Sequence, residues 1–357
     1  ATISPDGDVF FTGVCTATTL AGSGANLTSL PSAQLSGALP ALDGSALTGV
    51  ASTENIRTNT NATFLQNINV SGITTVGSAV TISESGIEAS GIGITCANIN
   101  GGQIGGRKNL IINGAMQVAQ RGITYTGTNN HHTVDRILTS TGGLDENCTF
   151  AQVDVSSGTT PYTLGFRKAF KVTNGNQTSG AQSSDYVQIQ YRIEAQDIAN
   201  SGWNYTSTSS FITLQFWVKS SVAQNFYCFI RCKDGTAQLY RFDTGSLSAN
   251  TWTKVVKTIP GNSNLTFDNN SGEGFQINIS PYWGTDYTDS GVSLNAWGAY
   301  SSTSRAQDHT TTWYETNDAT FEITGLQLEV GSQATEFEHR SFGEELALCQ
   351  RYFYMHA

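Results

Sequence analysis

The sequence predicts an all-β protein in three parts: an intertwined trimeric β shaft at residues 1–106, a jelly-roll β-sandwich at residues 107–335, and one short amphipathic α-helix at residues 336–357. Three observations lead to this prediction. Large side chains are nearly absent from the first part, short alternating segments follow one another in the second, and a helical spacing of apolar residues occurs only in the third.

The aromatic residues divide the chain near residue 106. All six Trp and all thirteen Tyr lie beyond residue 124, and residues 1–106 contain only Phe10, Phe11 and Phe64. A segment with so few large side chains cannot bury enough apolar area by itself to offset the entropy of ordering its backbone. The first part therefore either shares a core with copies of itself or is a flexible linker.

The pattern within the first part favours a shaft of intertwined strands. β-Branched residues alternate with small polar ones, as at Ile68 and Val70 and again at Ile92 and Ile94, and glycines separate these runs. Such runs form short strands, and the glycines permit tight turns between them. The flexible linker remains the alternative. A single-chain solenoid is less favoured because no fixed repeat period holds across the region.

Residues 107–335 contain eight segments with strand patterns. These are Thr149–Val155, Phe166–Val172, Val187–Ile193, Phe211–Lys219, Phe226–Cys232, Trp252–Ile259, Phe275–Ile279 and Phe321–Val330. Most of them alternate apolar and polar residues, as half-buried antiparallel strands do. In Phe211–Lys219 the even-numbered apolar residues face inward, which leaves Trp217 on the opposite face. Turn residues separate the strands, and this arrangement favours a jelly-roll sandwich.

The last predicted strand changes phase at a glycine. Phe321 and Ile323 are apolar at odd positions, whereas Leu326 and Leu328 are apolar at even positions after Gly325. A period of two that shifts by one residue at a glycine is typical of a β-bulge.

A short amphipathic helix is predicted after this strand. Ser341 and Glu344 have the spacing of a capping box, in which each side chain accepts a hydrogen bond from the other's backbone amide. Four apolar residues share one face at helical spacing and are candidates for a contact between subunits or between head and shaft. They are Phe342, Leu346, Cys349 and Phe353.

Charge and composition argue against several function classes. The net charge is −10 with no basic stripe, so we expect no nucleic-acid partner. No apolar run reaches the ~18 residues of a membrane span, so we expect no membrane insertion. No signal peptide is evident, and we expect a particle that is assembled in a cytoplasm. The six cysteines and five histidines show no metal-site spacing, so we expect neither a metal nor a cofactor.

The sequence contains no catalytic motif of the common hydrolase types, and we expect a protein that is not an enzyme. Glu273, Asp286 and Asp289 are the acids that could act as a glycosidase pair. That chemistry requires two carboxyl groups about 5 to 9 Å apart, which the sequence does not show.

A cluster of aromatic residues between Pro281 and Tyr314 suggests a binding site. Sugars present apolar C–H faces to aromatic rings and hydroxyl groups to polar side chains, so Trp and Tyr in polar loops suit a glycan. The alternative is that these rings pack the rim of the sandwich, but we expect Trp283 or Tyr287 to be exposed. The candidate glycan contacts are Tyr282, Trp283, Tyr287, Trp297, Tyr300 and Trp313.

Several strings resemble tail fibres and related receptor-binding structural proteins of marine bacteriophages (cyanophage type). They are GDVFFTGVCTATTL and GANLTSLPSAQLSGALP within residues 7–40, RKNLIINGAMQVAQRG at residues 107–122, and ITGLQLEVGSQAT followed by FEHRSFGEELALCQRYF near the C-terminus. Two further strings, FWVKSS and NTWTKVVKTIPG, resemble strands of carbohydrate-binding-module jelly rolls.

This resemblance implies a homotrimeric tail fibre of a virion. Its N-terminal region would contact other tail or virion proteins, and its head would adsorb to a host cell surface, with a glycan as the expected partner. The alternatives are a non-receptor structural or decorative fibre of the capsid or neck and, third, a polysaccharide-degrading tailspike.

Overall fold

The computed structural model describes residues 2–14, 16, 18–19, 108–128 and 130–355. The N-terminal residues and residues 108–355 belong to two separate compact units, and each is described by itself. Most of the predicted trimeric shaft at residues 1–106 lies outside the described residues and stays a prediction.

The described N-terminal residues form a small hairpin. Strands β1 (Thr2–Ile3) and β2 (Val9–Phe10) pair antiparallel. The connecting turn is closed by a hydrogen bond of 2.7 Å from the Ser4 amide to the Asp8 carbonyl, and Gly7 has a φ of 92°. Glycine adopts this left-handed conformation without steric cost, which suits a tight turn.

Residues 108–355 form the sandwich domain, whose described part has twelve strands and four short helices. The strands are β3 (Thr124–Thr126), β4 (Ile137–Gly142), β5 (Thr149–Asp154), β6 (Lys168–Thr173), β7 (Tyr186–Glu194), β8 (Phe211–Ser220), β9 (Asn225–Cys232), β10 (Gln238–Ser246), β11 (Thr253–Pro260), β12 (Glu273–Trp283), β13 (Ala296–Ala299) and β14 (Thr320–Val330). The helices are α1 (Thr160–Thr163), α2 (Ala195–Ala199), α3 (Thr312–Glu315) and α4 (Phe342–Gln350).

The strands form two six-stranded antiparallel sheets that enclose one hydrophobic core. One sheet, named the groove sheet, has the order β13-β10-β9-β12-β7-β4, and the other, named the back sheet, has the order β11-β8-β14-β6-β5-β3. The core contains apolar side chains from both sheets, for example Ile189 and Ile277 from the groove sheet and Leu214 and Leu328 from the back sheet. The all-β prediction is therefore confirmed.

All eight predicted strands are present, and four further strands were missed. The missed strands are β3, β4, β10 and β13. β10 was missed because its sequence, QLYRFDTGS, contains charged residues on the outer side of the sheet. One of these, Arg241, is nevertheless buried. β3 and β13 are edge strands of three and four residues, too short for a periodic signal.

The predicted bulge in β14 is confirmed. Its pairing with β8 shifts register between Thr324 and Gln327, and Gly325 between them has a φ of +66°. A Cβ atom at this position would lie 2.7 Å from the Cζ atom of Phe166. Glycine is therefore required at position 325 for two reasons: the backbone is left-handed, and an aromatic ring approaches it closely.

Helix α4 shows the Ser341 half of the predicted capping box, and its buried face differs from the predicted one. The Ser341 hydroxyl accepts a hydrogen bond of 3.3 Å from the Glu344 amide. Glu345 and Cys349 are buried, whereas Phe342 is 56 % exposed. The face is rotated because the Glu345 carboxylate accepts a hydrogen bond from the buried amide of Asn113 and so turns inward.

The helix packs against the opening segment of the sandwich domain, residues 108–118. Cys349 contacts the buried side chains of Ile112 and Val118, with Leu346 half-buried beside them. The buried Arg340 guanidinium donates hydrogen bonds of 2.6 Å and 3.0 Å to the carbonyls of Asn109 and Ile111. Two of the strings that resemble tail fibres are thus in contact, and a subunit contact on the exposed side of α4 stays a prediction.

Candidate functional site

The groove sheet turns a polar surface away from the core, and strand β12 explains how aromatic residues reach it. Phe275, Ile277 and Ile279 face the core, and the pairing with β7 then shifts register between Ile279 and Tyr282. The extra residue reverses the alternation. Tyr282 consequently faces the core, whereas Trp283 faces the outer side of the sheet.

Three of the six predicted contacts meet on this outer side. Trp283, Tyr287 and Tyr300 belong to a small cluster around Phe229. The rings of Trp283 and Tyr287 pack edge to face with centroids 5.2 Å apart. Trp283 is only 1 % exposed, so the expectation that it could be exposed is wrong, because Tyr186 stacks on its indole at 5.0 Å. Tyr287 and Tyr300 are half-buried.

The other three predicted contacts lie elsewhere. Tyr282 stacks on Tyr314 at 4.3 Å inside the core, and burial raises its pKa to about 12. Trp313 is fully buried, and its indole N–H donates to the Thr320 carbonyl at 3.1 Å. The half-buried Trp297 packs at the edge of the core, where its indole N–H donates to a backbone carbonyl. Packing therefore accounts for these three rings.

Amide side chains line the outer side of the groove sheet next to the aromatic cluster. Gln188 and Gln190 on β7 and Gln276 and Asn278 on β12 are all buried. The Asn278 carbonyl oxygen accepts hydrogen bonds from Gln188 and, at 3.1 Å, from Gln276. The Asn278 amide nitrogen has no hydrogen-bond partner among the described residues. A buried donor in this state costs about 1–3 kcal/mol, so its retention calls for an explanation.

Two arginines close this surface into a shallow groove. The Arg231 guanidinium lies 3.8 Å from the centroid of the Tyr300 ring, and that of Arg305 lies 4.9 Å from both Trp283 and Tyr287. The Nε atoms of both arginines are buried without a hydrogen-bond partner within the described part of the chain. The indole N–H of Trp283 is buried and unpaired in the same way.

A third arginine on the same face is fully engaged. Arg241 on β10 donates from Nε and Nη2 to the Ser304 carbonyl, at 3.0 Å and 2.7 Å. Burial lowers the pKa of Arg241, and the charge of Asp289 partly opposes that shift. Arg241 anchors the loop that carries Tyr300 and Arg305, so these side chains sit on a fixed support.

The groove encloses only a small volume. Its cavity is about 80 Å³ and is lined by Gln188, Gln190, Phe229, Arg231, Gln276, Tyr300 and Arg305. Pockets that enclose a whole small molecule measure roughly 300–1,000 Å³. A ligand would therefore lie across the groove and insert one polar substituent, while unpaired donors and half-exposed rings contact its edge.

A second, larger cavity lies on the outer face of the back sheet. It measures about 240 Å³, and its lining includes Trp217, Lys254, Gly325, Phe337 and His339. Lys254 and Trp217 are directly opposite each other on β11 and β8. Trp217 faces away from the core, as predicted. This cavity is the principal competing location for a ligand.

Two of the candidate glycosidase carboxylates, Glu273 and Asp286, lie at opposite ends of one strand. Glu273 begins β12 and forms ion pairs with Arg192 and Lys233 at 3.2 Å and 3.3 Å. Asp286 follows the other end of this eleven-residue strand, roughly 30 Å away at 3.3 Å per residue. Glu273 and Asp286 are therefore too far apart to form a catalytic pair.

The described residues also bear on metal binding and membrane insertion. In that part of the chain no group of three His, Cys, Asp or Glu side chains is placed to hold a metal ion. None of its helices is long and apolar enough to span a membrane. All four cysteines described, at 148, 228, 232 and 349, are buried free thiols.

Neither protein-family models nor curated proteins give a match to the chain. Among solved structures, the enzymatically active domain of tailspike protein 4 of bacteriophage CBA120 is similar at a TM-score of 0.32 and 11 % identity. That alignment covers 62 % of this chain and only 21 % of the tailspike chain. The chain therefore spans about a fifth of that relative's length.

Two carbohydrate-binding modules are also similar in structure. The N-terminal cellulose-binding domain of Cellulomonas fimi β-1,4-glucanase C has a TM-score of 0.28 and 11 % identity, covering 55 % of this chain and 90 % of the module. The module TmCBM61, solved in complex with β-1,4-galactotriose, has a TM-score of 0.26 and 7 % identity, covering 63 % of this chain and 99 % of the module. These are distant likenesses, and the assignment of a β-sandwich rests on the two sheets themselves.

Proposed function

We propose that this protein is a bacteriophage tail fibre whose sandwich domain binds a glycan in the groove. One observation carries the proposal: four buried donors without partners lie at the groove, two on residues that line its cavity and two on residues that contact this lining. These donors are the Nε atoms of Arg231 and Arg305, the amide of Asn278 and the indole N–H of Trp283. The resemblance of the strings at residues 7–40, 107–122 and 323–353 to tail fibres supports the virion assignment.

The chemistry of the groove suits a saccharide better than an apolar ligand. Hydroxyl groups both donate and accept hydrogen bonds, so they can pair with arginine, glutamine and asparagine side chains at once. The Tyr300 ring offers a surface for an apolar sugar face. Because the loop that carries Tyr300 is held by Arg241, these groups are ordered before a ligand arrives, which limits the entropy lost on binding.

The remaining parts of the proposal follow from the tail-fibre assignment. Three chains would intertwine through residues 1–106, and the N-terminal region would attach to other virion proteins. The head would bind its glycan without cleaving it. A decorative fibre with no receptor role is the alternative, and it predicts that no glycan binds the intact protein.

A glycan array with the intact protein tests this proposal. We expect binding that is lost in a Tyr300→Ala variant and retained in Trp217→Ala, which alters the cavity of the back sheet instead. Trp252→Ala is a matched control, because this half-buried tryptophan packs in the same cluster as Trp217 but does not line that cavity. Binding that depends on Trp217 and not on Tyr300 would contradict the groove as the site.

Incubation of the intact protein with each bound polysaccharide tests whether the head also cleaves it. Unchanged polymer length supports binding without hydrolysis. Shortened chains would instead favour a polysaccharide-degrading tailspike. No binding to any glycan on the array would favour the decorative fibre.

A further inference from the structure

We infer that the groove recognises an acidic sugar, through a carboxylate that inserts between Arg231 and Arg305. This inference names the ligand class of the proposed glycan site and therefore rests on the proposed function. It begins from the charge of the lining. Seven side chains line the groove, and they include two arginines and three glutamines but no Asp or Glu. The whole chain, in contrast, carries a net charge of −10.

The other arginines on this face already have partners. Arg241 donates two hydrogen bonds to the Ser304 carbonyl. Arg192 forms an ion pair with Glu273 at 3.2 Å and donates to Gln190. Arg231 and Arg305 have no ion pair with any described residue, although several acidic side chains elsewhere in the domain are exposed. Arg231 and Arg305 thus place two guanidinium groups without an ion pair at one small cavity.

The contacts of Arg231 and Arg305 with aromatic rings leave their N–H groups available to an anion. The guanidinium carbon of Arg231 lies 3.8 Å from the centroid of the Tyr300 ring, and that of Arg305 lies 4.9 Å from the centroids of Trp283 and Tyr287. Contact through the face of the guanidinium leaves the N–H groups at its edge free to donate. A planar carboxylate accepts two parallel hydrogen bonds from such an edge, and these charge-assisted bonds are stronger than neutral ones. Partial burial strengthens them further because solvent screening is weaker there.

The size of the cavity fits a substituent and not a ring. Its volume of about 80 Å³ is several times smaller than the roughly 300–1,000 Å³ of pockets that enclose a whole small molecule. A carboxylate group is of this size, whereas a pyranose ring is larger and would stay outside. The amides of Gln188, Gln190 and Gln276 line the same cavity and supply further hydrogen-bonding groups. Sulfate and phosphate esters share the negative charge but not the planar shape.

Paired ligands that differ in the acidic sugar test the inference. The probes are trigalacturonic acid against galactotriose and 3′-sialyllactose against lactose, with sulfated lactose as a tetrahedral anion, each measured by isothermal titration calorimetry on the intact protein. We expect at least one acidic probe to bind ten times more tightly than its neutral partner and the sulfate. We also expect that this preference weakens as the salt concentration rises.

Two variants and a control locate the effect. Arg231→Met and Arg305→Met should each reduce affinity for the acidic probe at least tenfold, while circular dichroism shows an unchanged fold. Lys233→Met removes a positive charge that pairs with Glu273, has no bond to the cavity lining, and should retain the preference. A preference that survives Arg231→Met and Arg305→Met would overturn the inference.

The result with neutral probes separates this inference from the proposed function. Equal binding of acidic and neutral partners in the groove would overturn acidic recognition while glycan binding stands. Tighter binding of the sulfate than of any carboxylate would overturn the carboxylate assignment. If none of these probes binds and no glycan on the array binds either, both the inference and the proposed function are contradicted.

Discussion

Replacing Arg231 by methionine should stabilise the fold while it abolishes binding. The variant removes a buried Nε donor that has no partner, which costs about 1–3 kcal/mol in the folded state. It also removes the stacking of the guanidinium on Tyr300, worth about 0.5–1 kcal/mol. The methionine stem still covers the sheet. The expected change is a gain of about 0–2 kcal/mol in the free energy of unfolding.

Arg241→Met is a matched control with the opposite expectation. Arg241 lies on the next strand and the same sheet face, but both of its bonding nitrogens donate to the Ser304 carbonyl. Its removal loses charge-assisted hydrogen bonds and leaves a carbonyl without its partner, a cost of about 1.5–3 kcal/mol. The comparison separates an arginine retained for a ligand from one retained for the fold.

Thermal unfolding and glycan binding should be measured on the same preparations. At about 2–4 °C per kcal/mol for a domain of this size, Arg231→Met should raise the midpoint by up to about 8 °C, and Arg241→Met should lower it by about 3–12 °C. If Arg231→Met destabilises the protein as much as Arg241→Met and leaves glycan binding intact, Arg231 is a structural residue and the groove loses its main support.

Three further predictions concern stability and assembly. Arg340→Met should cost about 3–5 kcal/mol in denaturant unfolding, because it leaves buried carboxylates and carbonyls unpaired, whereas Arg167→Met, which loses two exposed carbonyl bonds, should cost under about 1 kcal/mol. Burial lowers the pKa of His309 to about 4. As the pH falls from about 6.5 to 4, the unfolded chain therefore binds this proton before the folded protein does, and the free energy of unfolding should fall. His309→Gln should flatten this dependence of stability on pH in thermal melts. Phe342→Asp should reduce the trimer fraction in light scattering without changing the melting temperature, whereas Leu346→Asp should lower the melting temperature. An intact trimer with Phe342→Asp would mean that α4 only caps its own domain.

Sequence periodicity was reliable where one face of a strand meets the core. The eight predicted strands alternate because the sheets bury one side only, and the phase shift at Gly325 marks a bulge for the same reason. The capping residue Ser341 could also be predicted, since its hydrogen bond joins residues three positions apart. The buried face of α4 could not be predicted, because the charged Glu345 is held inward by Asn113, which lies 232 positions away in the sequence, together with the nearby Arg340.

Only part of the groove could be predicted from the sequence. Aromatic residues in polar loops were identified, but a bulge without a glycine decides that Tyr282 faces the core and Trp283 the outer side. Arg231, Arg305 and Gln276 were missed as site residues. A signal for the amide lining was present, since Gln188 and Gln190 alternate with core residues on β7 and must face away from the core. Nothing local showed that this face would be covered by a loop.

The sequence by itself determined eight of the twelve sandwich strands, the bulge at Gly325, the cap of α4 and the polar outer face of β7, because each depends on residues a few positions apart. Only the tertiary structure decided which polar groups lack partners. Arg231 and Arg241 look equivalent in the sequence, yet one finds the Ser304 carbonyl and the other finds only the Tyr300 ring. That difference depends on the path of a loop more than sixty residues away, and long-range contacts of this kind leave no periodic trace in the chain.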